Sequence, residues 1–213
     1  MAVNRIERRR YVPGMRSLSR YEMRRCGPAV LAVPPLAGIT VGIASSLAGW
    51  QSLLLGEVLP VLVALPAAAV ADGDPLRELH ETLPRRYVRT AACRLGIAAG
   101  AVLTGVVAAA VLCAAFGGGA SVLGHAAAAL CSAVLLVGIG ALVGAASSSA
   151  AAASTAMIAV WLGQLLLGDR ILGDGAARLL VPACVGCAAL ALALRRFDSG
   201  ADVLGAARSG AGS

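Results

Sequence analysis

Lysine is absent from this chain: all 18 basic residues are arginine. A Walker-type phosphate loop, GxxxxGK[ST], is therefore impossible, and the chain does not bind ATP in that manner. Histidine is nearly absent too. His80 and His125 are the only two; neither belongs to an HExxH pair, and no GxSxG elbow occurs. The sequence thus offers no catalytic constellation and no metal-ligand cluster. Charge is scarce, at 14% of residues, where a soluble domain carries about 25%. Aromatic residues make up only 3%, and alanine and glycine are abundant in their place. The all-arginine basic set and the alanine bias point to a GC-rich bacterial genome.

What is present is apolar and segregated. Hydrophobic residues are 59% of the chain and the mean hydropathy is +0.83. The charges sit in residues 1–25, 72–94, 169–178 and 195–208, with Glu57 the one outlier. A charged side chain at the centre of a membrane span costs about 2.5–3.5 kcal/mol on insertion scales. A polytopic helical membrane protein must therefore confine its charges; a soluble core need not. The pattern predicts an all-α integral membrane protein with six transmembrane helices, at about residues 28–46, 53–71, 95–116, 124–146, 151–167 and 179–194. A helix over 53–71 is about 28 Å long, enough to cross the hydrocarbon core. Residues 124–167 contain no carboxylate and no arginine and would overshoot the bilayer twofold as one helix, so the run is divided at Ser147-Ser148-Ser149. Pro34-Pro35 removes two backbone donors and should kink the first span. Trp50 fits the far interface.

Six spans place both termini on one side. On that side fall eight arginines in residues 1–25, five in 72–94 and three in 195–208; the other side has only Arg170 and Arg178. The positive-inside rule then sets both termini in the cytoplasm. The same rule accounts for the net charge of +7 without nucleic acid. The organisation is a basic cytoplasmic segment (1–27) with a possible interfacial helix over 15–26, a six-span domain (28–194) containing the cytoplasmic loop 72–94, and a cytoplasmic tail (195–213) whose Gly/Ser/Ala composition reads as disordered. In the N-terminal segment Tyr11, Met15 and Leu18 share a helical face, and Glu22 interrupts it.

Four features could carry function. The first is the polar loop. Asp74 is a good N-cap and Pro75 suits the first helical position. Leu76, Leu79 and Leu83 then share one face, and Pro84 stops the helix. Such a short amphipathic helix suits a groove on another protein; it equally suits lying flat on anionic lipid. The second is Glu57, the one carboxylate inside a span. An intramembrane acid can contact substrate, relay protons or pair with another helix, and at this depth it can also reach the headgroups. The third is the set of small-residue spacings Gly38xxxGly42, Gly96xxxGly100 and Gly140xxxGly144, which let helices approach within or between subunits. The fourth is the set of six cysteines. Cys184-Val185-Gly186-Cys187 has CxxC spacing but lies in an Ala/Leu span without His, Asp or a second pair, so packing is the better reading.

With those residues in view, the chain resembles the small six-span permease subunits of ATP-binding-cassette exporters of the type-2 class, which export drugs and polysaccharides. The resemblance rests on SLSRYEMRR entering the first span, DPLRELHETLPRRYVRTAACRL after the second, and SSSAAAAS between the fourth and fifth. It implies that the loop holds a coupling helix docking on a separate ATPase subunit, through Asp74, Leu76, Arg77, Glu78, Leu79, His80 and Leu83. It implies that the N-terminal segment also lies against that ATPase, through Met15, Leu18, Tyr21 and Glu22. ATP and Mg would belong to the partner, with no cofactor in this chain. The transporter would contain a second copy of the permease or a sister permease, in the cytoplasmic (inner) membrane of a bacterium. The chain departs from longer members in its very short outer loops: only residues 168–178 stand where they carry a helical hairpin. Rival expectations are a non-transporting membrane scaffold and an integral-membrane enzyme acting on lipids, the latter disfavoured by the lack of clustered His, Asp or Cys.

Overall fold

A computed structural model describes residues 23, 26–48, 50–71, 87–116, 119, 121–172 and 175–210. The described residues form an all-α bundle. Helix α1 is Gly27–Ala48, α2 covers residues 51–71 in four differently wound pieces, and α3 is Tyr87–Ala115. Helix α4 is Ser121–Ser147, α5 is Ala150–Leu172 and α6 is Ala176–Gly210. Each contains a stretch long and apolar enough to cross a membrane. The expected loop helix over 74–84 and the N-terminal segment apart from residues 23, 26 and 27 lie outside the described residues, and with them every docking residue named above.

The helices exceed the apolar runs at several ends. Helix α3 begins at Tyr87, upstream of the apolar start at Leu95, because arginine is a good helix former and the run RTAACR contains no breaker. Helix α6 passes Arg195-Arg196 and stays helical to Gly210, where composition reads as a disordered tail. Its Ala, Leu and Arg residues sustain a helix, and no proline follows Pro182. Glycine is needed at the start of α1, where Gly27 takes a φ of +81° that other residues avoid. The double proline lies wholly within α1, which remains helical across Pro34 and Pro35.

The triple serine divides α4 from α5, as expected. Ser148 takes a left-handed φ of 52° and its N–H donates to the Gly144 carbonyl at 2.8 Å, closing α4. The Ser149 hydroxyl then accepts the Ala152 N–H at 3.3 Å, the geometry of a serine N-cap. Ser149→Ala should cost about 1 kcal/mol, read as a lowered melting temperature of the purified protein.

Helix α4 is the centre of the bundle. Half of its most apolar stretch is buried, against 11% for α5, and it contacts α2, α3, α5 and α6. Leu135, Leu136, Val137 and Gly138 are all buried in succession, so no side of α4 is left for lipid there. The core gathers Leu55, Leu59 and Val63 from α2, Val102, Val106 and Cys113 from α3, Leu136 from α4 and Met157 from α5.

Two close crossings join helices that run in the same direction. In α1 and α3, Gly38 lies against the Gly105 backbone, and Gly42 lies against Ala109 and Leu112. In α4 and α6, Gly138 meets the Gly186 backbone, and Gly186 in turn meets Leu135 and Val134. Lipid is as apolar as leucine, so such helices gain from close van der Waals approach rather than from leaving water. Glycine supplies that approach. The Gly96xxxGly100 pair is different: a side chain there would meet nothing within 4 Å, and both residues face out of the bundle.

Candidate functional site

Helix α2 departs from regular winding beside its two prolines, Pro60 and Pro66. Pro60 has no N–H for the carbonyl one turn upstream, and its ring crowds that carbonyl. Residues Leu54–Val58 form a π-turn, with the Leu59 N–H reaching back to the Leu54 carbonyl in place of the usual partner one residue later. At the second proline, Leu65–Ala71 tightens into 3-10 winding. The sequence signals for this were Pro60 and Pro66 themselves. Their consequence, a wide turn that re-aims one residue, was not foreseen.

That residue is Glu57. Its main-chain carbonyl accepts the indole N–H of Trp161 on α5 at 2.7 Å. Its carboxylate Oε1 accepts from the guanidinium of Arg178 on α6 at 3.1 Å. One residue of the π-turn is therefore tied to two other spans, one bond from its backbone and one from its side chain. Of the roles expected for an intramembrane acid, the structure shows the pair with another helix. Arg178 and Trp161 were not anticipated as its partners. The signal was present, since Arg178 is one of only two arginines at that end of the bundle and Trp161 is the one indole within a span.

The charges are only partly shielded: the Arg178 side chain is 41% exposed and that of Glu57 26%. In water such a pair is worth about 0–1 kcal/mol. At this position its importance lies elsewhere. Glu57 lies about 9 Å along the axis from the start of α2, at 1.5 Å per residue, and each charge spares the other an unpaired place among apolar helices. Arg178 stands in the first turn of α6, where its N–H donates to the Gly175 carbonyl at 3.1 Å. A cation there opposes the helix dipole, so α6 itself does not favour it; the carboxylate across the crossing does.

Several other polar groups bond within their own helices. Ser45, the buried polar residue of α1, donates to its own helix at the Val41 carbonyl at 2.7 Å. Thr104 and Thr155 do the same to Ala101 and Ala151. His125 Nδ1 is 2.8 Å from the Ser121 carbonyl at the start of α4. None of the six cysteines is in a disulfide; Cys184 and Cys187 are exposed on α6, and Cys113 is buried, with its thiol 3.7 Å from the Gly42 carbonyl. Among the described residues no group of His, Cys, Asp and Glu is placed to hold a metal ion.

The six apolar helices define an all-α polytopic membrane protein. Comparison with known proteins finds no matching family model, no matching curated protein and no matching solved structure.

Proposed function

We propose that the chain is the transmembrane permease subunit of an ATP-driven exporter in the cytoplasmic membrane of a bacterium. It would move a small molecule, peptide or lipid-like substrate, with ATP and Mg bound by a separate ATPase subunit. The observation that carries this reading is the loop between α2 and α3. It joins two spans at the arginine-rich end, and its sequence spaces Leu76, Leu79 and Leu83 as one face of a helix would, behind Asp74-Pro75. A leucine-faced helix on the cytoplasmic side of a six-span bundle suits a groove on a soluble partner. Closure of an ATPase dimer would push these loops and rock the spans against a second permease copy or a sister permease.

One observation favours the scaffold reading instead. Thr40, Ser45, Ser46, Thr104, Ser147, Ser154 and Thr155 all donate to carbonyls of their own helices. None of these hydroxyls is thereby turned toward a polar path through a single copy, as a protein that transports nothing requires. The two readings separate by affinity purification from gently solubilised membranes of the native host, followed by mass spectrometry and an ATPase assay. Recovery of an ATPase subunit in equal ratio supports the exporter. Recovery of the chain alone, or with a partner that hydrolyses nothing, sinks it in favour of the scaffold.

A further inference from the structure

We infer that Glu57, Trp161 and Arg178 form a releasable clasp that holds α2 in its π-wound form, and that releasing it rotates the outer end of α2. This does not depend on the exporter reading. A π-turn is an α-helix with one residue too many, and it disappears only by moving along the helix to an end. Movement toward the loop end is obstructed by Pro60, which has no N–H to re-pair as the turn passes. Movement the other way meets only Gln51–Leu53, a segment with no buried residue. Ser52 and Leu53 are exposed, as is Trp50 beyond them, so these residues can turn without disturbing the core. Leu55 and Leu59, both fully buried, hold the rest of the helix in place.

Conversion of residues 54–58 to α winding would swing residues 50–53 by about 100° around the axis, one residue's worth of a 3.6-residue turn. What prevents this is the pair of bonds converging on Glu57. The Trp161 indole fixes the position of a π-turn carbonyl, and Arg178 fixes the side chain of the same residue. Helices α5 and α6 thus both sense the winding of α2. The chain from Ala48 to Gln51 is short, so the end of α1 moves with it. Movement of α5 or α6 that breaks either bond frees the turn, and the outer ends of four helices are coupled through one residue.

The test is a pair of spin-label distances in lipid nanodiscs, on a background whose six cysteines are replaced by alanine. Labels attached through Ser52→Cys on α2 and Leu180→Cys on α6 report the outer end; labels through Leu62→Cys and Leu180→Cys report α2 on the loop side of Pro60. All three positions are exposed. Trp161→Phe removes one hydrogen bond and should shift the population toward the released form by about fivefold, the worth of such a bond. The new 52–180 distance should differ by roughly 5–8 Å, the swing of a side chain on a helix 10–12 Å across, while the 62–180 distance stays fixed. Glu57→Gln should act in the same direction. Trp161→Phe and Glu57→Gln distributions identical to that of the parent would overturn the proposal. Broadening of both distances together would also overturn it, since the cluster would then be a general support of the bundle.

Discussion

Gly38→Val and Gly186→Val are each expected to destabilise the folded bundle severely. A Cβ at Gly186 would lie 2.7 Å from the Leu135 Cα and N. At Gly38 it would fall on the Gly105 carbonyl oxygen and 2.7 Å from the carbonyl carbon. In both cases the obstacle is backbone of a neighbouring helix, which cannot step aside as a side chain can. Overpacking of a core typically costs 1–3 kcal/mol. With the backbone as the obstacle, about 3 kcal/mol or more is expected for each, a large fraction of the 5–15 kcal/mol that holds a typical native protein together. The measurement is the melting temperature and the monodisperse yield of the detergent-solubilised variants. Gly140→Ala makes a useful intermediate. Its Cβ would approach the Met157 Sδ at 2.6 Å, and a flexible thioether can move, so a small loss is expected. Gly96→Ala and Gly100→Ala meet open space and replace a poor helix former by the best one, so each should gain up to about 1 kcal/mol. A Gly186→Val protein as stable as the parent would mean that α4 and α6 do not cross there.

That series also marks the limit of what the residue pattern reveals. Gly38xxxGly42, Gly96xxxGly100 and Gly140xxxGly144 are equivalent as motifs, yet one meets backbone, one meets nothing and one meets a methionine. Spacing states which residues share a helix face; it does not state which face the bundle turns inward, because in lipid an apolar residue is at home on either side. Gly138 and Gly186, which make the tightest α4–α6 contact, belong to none of the three. The number of spans and the break at Ser147-Ser148-Ser149 were readable, because charge exclusion and helix length act on sequence directly. Glu57 stood out for the same reason. Its partners did not, because a contact between α2 and residues a hundred positions later depends on how the helices cross. The π-turn was also hidden: proline announces that regular winding fails, but whether the chain widens, tightens or bends is settled by what lies beside it, here the indole of Trp161.

Leu79→Asp should release the partner from the loop while leaving the six spans inserted, if the loop helix is a docking element. Leu79 is the middle member of the Leu76, Leu79, Leu83 face, and the central apolar anchor of a small interface commonly carries 2 kcal/mol or more. A carboxylate in its place would be left desolvated and unpaired in the groove. Roughly a thirtyfold or greater loss of affinity is expected, at 1.4 kcal/mol per tenfold, seen as disappearance of the co-purifying ATPase at unchanged membrane yield of the chain. The same helix lying flat on lipid predicts a different pattern. There the arginines matter most, at about 1 kcal/mol each near an anionic surface, so Arg85→Gln with Arg86→Gln should loosen the loop from anionic vesicles as much as Leu79→Asp does. The groove reading expects the arginine pair to leave co-purification largely intact. Partner retention by Leu79→Asp would remove the main support for a coupling role and leave the loop as a lipid-surface element of a membrane scaffold.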